Sequence, residues 1–145
     1  MQRPDERSDA RERALYLLYE AHSKGIEPAA TIDLQVIEPD GLTQELVRGV
    51  GAHLAELDRR IEARAKGWTL ARMPVLDLNV MRLGVYELME RPHVPTAVVL
   101  NEAVELAKRF STDDSGRFVN GVLAAIAGEV RPGPADDPTP GDADA

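Results

Sequence analysis

The sequence predicts an all-α protein. Apolar residues recur at three- and four-residue steps along most of the chain, and no segment alternates with the period of two that a half-buried strand requires. Glycine and proline fall between the periodic segments, where they punctuate helices. A length of 145 residues supports one core, burying roughly two thirds of the surface that an unfolded chain exposes. Hydrophobic residues make up 43% and charged residues 29%, and apolar runs are only a few residues long, so neither a disordered body nor a membrane span is expected.

The first helix is expected from about Ser8 to Lys24, with Ser8 as N-cap, an apolar line through Ala14, Leu18 and Ala21, and Gly25 closing the C-terminus. Residues 26–41 form a connector with room for one helical turn. A long helix is expected from Leu42 to Lys66, where Leu46, Val50, Leu54, Leu57 and Ile61 make a stripe and Gly67 ends the run. After the short stretch Trp68 to Met73 and Pro74, a third helix covers Val75 to Glu90. Leu76, Val80 and Leu83 on one side of it, and Leu78, Met81, Val85 and Leu88 on another, make it the central helix. Asn79, Arg82, Tyr86 and Glu90 fall within about 80° on a helical wheel and leave one narrow polar and aromatic face, expected to meet water or a partner. Pro92 and Pro95 break the chain, Thr96 is the expected cap of the next helix, and Leu100, Ala103, Ala107 and Phe110 form its stripe. Beyond the polar turn at 111–115, a last helix carries Val119, Val122, Leu123, Ile126 and Val130.

Residues 132–145 combine four prolines with four aspartates and nothing apolar larger than alanine. Such a segment cannot offset its ordering entropy, so a helical domain over 1–131 and a disordered tail over 132–145 are expected. Removing the tail's four aspartates from the net charge of -8 leaves -4, an acidic body that excludes indiscriminate coating of nucleic acid but permits a local site. The N-terminus has no apolar stretch of the kind a secretory signal needs, and a cytoplasmic protein is expected.

Catalytic chemistry is hard to find. The chain has no cysteine, and His22, His53 and His93 lie far apart without metal-ligand spacing or a nucleophile nearby, so no metal, no cofactor and no enzyme activity are expected. Gly49 and Gly51 sit inside a helical pattern, where close packing explains them better than a phosphate loop. Asp113 and Asp114 suit a helix start, where they cap free N–H groups.

Two patches suit nucleic acid. Arg3, Arg7, Arg11 and Arg13 lead into Tyr16 and Tyr19, a combination of phosphate-binding forks and rings that stack unpaired bases, although residues 1–25 carry no net charge and composition alone favours a solvated amphipathic helix. Arg59, Arg60, Arg64, Lys66 and Arg72 form the second, at a helix end that favours cations in any case. Phe118 is not needed by the stripe of the last helix; beside Arg117 and the acidic turn it is either the edge of the core or a stacking surface.

Three blocks carry a family resemblance: Met81-Arg-Leu-Gly-Val-Tyr-Glu-Leu88, the run Val94 to Lys108 beginning Val-Pro-Thr-Ala-Val-Val-Leu-Asn-Glu-Ala, and Ser115-Gly-Arg-Phe-Val-Asn-Gly-Val-Leu123. They closely resemble the NusB family, and Ala10 to Glu20 adds a weaker match. The resemblance implies two small helical bundles packed across each other. It also implies an RNA-binding adaptor in transcription antitermination, which binds boxA-type RNA with the ribosomal protein NusE and serves the RNA polymerase antitermination complex. Carried over by position, Arg7, Arg11, Tyr19, Asp114 and Phe118 are expected at the RNA, with Arg13 and Arg117 beside them in the same patches, and Phe110 resembles another aromatic near it. Arg82, Tyr86 and Glu87 are expected to face NusE. The arginine segment is less basic than in well-known members, which implies greater dependence on the protein partner. A homodimer of the same fold with weak or no RNA binding is the alternative. The N-terminal domain of an RNA cytosine methyltransferase also resembles NusB, but catalysis there needs a large cofactor-binding domain.

Overall fold

The computed structural model describes residues 4–133, and among them it contains helices and no strand. Arg3 and the expected tail from residue 134 onward lie outside the described residues. Helix α1 spans Pro4–Lys24, α2 Pro28–Asp33, α3 Gly41–Ala52, α4 Leu54–Arg64, α5 Val75–Glu90, α6 Thr96–Phe110 and α7 Asp113–Val130, with a 3-10 turn at Leu70–Arg72.

Helix α1 starts one turn earlier than expected, so Ser8 is inside it and not at its cap. A proline in a first turn has no amide hydrogen to satisfy, and an acid such as Glu6 near that end favours the positive pole of the dipole. At the other end Gly25 takes φ +65°, and two reversed bonds, Gly25 N–H to His22 O at 3.3 Å and Ile26 N–H to Ala21 O at 3.0 Å, close the helix as expected. The connector's single turn is α2.

The long helix expected over Leu42–Lys66 is two helices. His53 breaks it with φ -114° and ψ 16°, its ring Nδ1 lying 2.9 Å from Gly49 O. Gly49 and Gly51 weaken helix propensity just before the break, and each meets a neighbour at short range, Gly49 the ring of Tyr86 and Gly51 the ring of Pro28. The break lets α3 lie on α1 and α2 while α4 turns to α5 and α7.

Two caps differ from expectation. Pro95 is the N-cap of α6, and Thr96 is its first residue, with a hydroxyl that accepts from Arg131 at 3.0 Å. Thr112, not Asp113 or Asp114, caps α7 by accepting from Ser115 N–H at 3.0 Å; both aspartates lie in the first turn, where their charge suits the dipole.

Helices α1 to α3 pack as one group and α5 to α7 as another, with α5 touching α1, α3, α4, α6 and α7. The expected central helix is therefore central. One continuous core joins both groups, from Leu15, Leu46 and Val50 through Leu57, Ile61 and Met81 to Leu88, Leu123 and Ile126. Each such side chain contributes roughly 1.5–3 kcal/mol by leaving water. Among the described residues no helix is long and apolar enough to cross a membrane.

Candidate functional site

The residues expected at the RNA separate by exposure. Arg11 is 4% exposed and points inward. Its Nε and Nη2 donate to Glu87 at 2.7 and 2.8 Å, and Nη1 reaches Glu102 at 3.5 Å. Burial alone would lower the pKa of Arg11, but the hydrogen bond and charge of Glu87, with Glu102 behind them, outweigh it and raise the pKa above its ordinary value. Arg11, expected at a phosphate, thus faces α5 from α1, with its fork engaged by a carboxylate.

The outward face of α1 is aromatic. Tyr16 and Tyr19 are 49% and 46% exposed. Tyr16 donates to Glu12 at 2.9 Å and meets Phe110 edge to face at 5.5 Å, while Arg109 lies 5.2 Å over the Phe110 ring and 3.1 Å from Glu12. Phe110 thus packs on the core and carries a surface cluster that ties α6 to α1. Arg13 donates to Ile37 O at 2.9 Å, which pins the connector to α1. Arg7, half-buried, lines a cleft of about 410 Å³ with Arg11, Arg91, His93 and Pro95.

The polar face of α5 is largely covered, with Asn79 and Tyr86 buried, Arg82 partly buried and Glu90 exposed. Arg82 forms a two-pronged pair with Asp58 of α4 at 2.7 and 2.9 Å and also donates to Asn79. Tyr86 is 7% exposed, lies against Gly49 of α3 and tilts over the His53 ring at 5.8 Å. Burial, then the charges of Glu45 and Glu90, hold its phenol above its ordinary pKa. Glu87 is 2% exposed. Arg82, Tyr86 and Glu87, expected to face a partner, here join α5 to α4, α3 and α1. The helical wheel located the polar stripe, but α3 and α4 pack over it.

The start of α7 is the open part of the site. Asp114 and Arg117 form an exposed ion pair. Phe118 packs on the edge of the core, and its ring lies 5.6 Å from Trp68 at an interplanar angle of 37°. Trp68, 44% exposed, was missed; its signal was a single tryptophan placed after a helix-ending glycine in a short linker. Asn101, Lys108, Asp113, Gly116, Arg117 and Asn120 line a cleft of about 490 Å³ between α6 and α7. Among the described residues no group of three His, Cys, Asp or Glu side chains is arranged to hold a metal ion.

These features can bind by stacking and by ion pairing. A sequence model described as the NusB family matches residues 8–128. The chain belongs to the NusB family. Among its NusB relatives, the transcription antitermination protein NusB of Saccharopolyspora erythraea is 49% identical over 128 residues, spanning 84% of this chain and 86% of that one. The solved NusB of T. maritima superposes with a TM-score of 0.78 at 30% identity, covering 89% of this chain and 94% of that one. A chain in the solved complex of antitermination factors NusB and NusE with double-stranded RNA gives a TM-score of 0.73 at 28% identity, covering 85% and 96%. The all-α, two-bundle NusB architecture expected from the sequence is thus found.

Proposed function

We propose that this chain is an RNA-binding adaptor of transcription antitermination, acting without catalysis on boxA-type RNA together with NusE in the RNA polymerase antitermination complex. Its likeness to a NusB solved with NusE and double-stranded RNA, over most of both chains, is the observation that carries this reading. In the proposed site Arg7, Arg13 and Arg117 hold phosphates, Tyr19 and Phe118 stack bases, and Asp114 orients Arg117. Arg11 and Glu87 position α1 against α5 from within. The test is binding of boxA RNA and a scrambled control over a salt series, with and without NusE. Selective binding of boxA, tightened by NusE, is expected; equal and negligible affinity for both RNAs in every condition would sink the proposal.

A homodimer is the second reading, favoured by Leu34, Val36 and Ile37, which are 54%, 101% and 73% exposed on the connector that Arg13 pins to α1. Light scattering on a dilution series discriminates: a dimer that persists and does not respond to RNA favours it, and a monomer at all concentrations removes it.

A further inference from the structure

The sole tryptophan of the chain stands where the core does not need it. Trp68 follows Gly67, whose φ of +81° turns the chain out of α4, and its ring covers one side of Phe118 while staying 44% exposed. Phe118 is itself packed against the core, so the two rings make a shelf with a fixed inner member and an open outer one. Gly67, Trp68 and Arg72 line a cleft of about 420 Å³ beside this shelf.

The nearby cations divide into two sets. Arg60 pairs with Glu56 and Glu129, and Arg64 pairs with Glu129. Lys66 and Arg72, which flank Trp68 in the chain, are exposed, and no side chain among the described residues pairs with either. An open aromatic face with unneutralised cations on both sides of it in the chain matches the chemistry of a nucleotide: a π-face for the base and a positive charge for its phosphate. A ring that only shielded Phe118 from water would not require the cations beside it.

We propose that Trp68 and Phe118, with Arg72 and Lys66, form a subsite for one unpaired base of the bound RNA, next to Asp114 and Arg117. Trp68 stacks the base, Phe118 fixes the plane of Trp68, and Arg72 holds the adjoining phosphate. This inference rests on the RNA-binding reading and extends it across the linker between α4 and α5.

Trp68 is also its own reporter. The full chain is titrated with a labelled single-stranded boxA-type RNA, an RNA duplex of equal length, and inorganic polyphosphate, following label anisotropy and tryptophan emission together; W68F serves as the blank when NusE is present. The single strand is expected to quench emission in step with anisotropy, whereas duplex and polyphosphate leave emission unchanged. W68A should weaken single-strand binding about tenfold and W68F by less than about threefold, and R72A should lower the salt slope by about one. Single-strand binding with unchanged emission and undiminished affinity in W68A overturns the subsite alone, as does equal quenching by polyphosphate. Absence of RNA binding by anisotropy in every arm, NusE included, overturns the RNA reading and the subsite with it. Should W68A fail to fold, the emission of the unaltered chain still decides.

Discussion

Arg131 uses all five of its guanidinium donors on the chain around the end of α5. Nε donates to Leu88 O, Nη1 to Val94 O and the Thr96 hydroxyl, and Nη2 to Glu87 O and Arg91 O, over 2.7 to 3.2 Å. Helix ends leave carbonyls unpaired, and here one side chain from beyond α7 satisfies several of them while joining α5, the α5–α6 turn and α7. Burial lowers its pKa, with Glu87 pulling in the opposite direction, and it remains charged at any ordinary pH. R131A should therefore cost about 2–4 kcal/mol in urea unfolding, and R131K should recover only part, since an ammonium cannot span the same acceptors. Tyr86 makes a prediction about pH. Its folded pKa lies above the ordinary 10.0, so the fold favours the protonated phenol; that stability is complete below pH 10.0 and is lost as pH rises from there through the folded value. Phenolate absorbance should show a late-titrating tyrosine that Y86F removes, and Y86F should flatten the alkaline loss of stability. Tyr16 also titrates late, through its hydrogen bond to Glu12, so Y16F is the necessary comparison.

Between elements, close approach decides more than propensity does. A methyl group added at Gly49 would sit 2.2 Å from the Tyr86 ring, so α3 and α5 can meet at that crossing only without a side chain there. Gly128 on α7 has nothing within 4 Å of the same added atom. Both glycines look alike in a helical pattern, yet the substitutions should have opposite signs: G49A should destabilise by about 1–3 kcal/mol through overpacking, and G128A should stabilise by about 0.5–1 kcal/mol through helix propensity. Thermal unfolding of the two variants checks this. The same contrast explains the missed break at His53. Periodicity runs unbroken through Leu46, Val50, Leu54, Leu57 and Ile61 because both α3 and α4 turn that stripe to the core, Leu54 only in part, and a stripe does not report a change of axis.

At the scale of the whole molecule, Arg11 and Glu87 link the first bundle to the second through a buried ion pair, with Arg91 3.6 Å from the same carboxylate. Removing one partner strands a buried charge, so R11M or E87L alone should cost about 3–5 kcal/mol. The double variant should recover most of that, because desolvating the pair offsets much of its attraction. Denaturant unfolding of the four proteins measures the coupling. The outcome also bears on RNA: if Arg11 acts only from inside, the stable double variant keeps boxA affinity, whereas R7A weakens it. The exposure of Tyr19 and Arg117 was legible in single residues. The burial of Tyr86 and Glu87 on α5 was not, because a wheel identifies a polar stripe and not what lies over it.

What the sequence alone determined is the helical body, the central place of α5, the shortage of catalytic groups and the likeness to NusB; these follow from periodicity, from composition and from contiguous motifs, all of which are local. The tertiary structure decided which charges face water. Arg7, Arg11 and Arg13 are equivalent as letters, yet Arg11 closes on a carboxylate 76 positions away, and Trp68 meets Phe118, fifty residues later in the chain. Burial and pairing are long-range properties, set by which helices meet, so the sequence identifies the functional groups and the packing assigns their work.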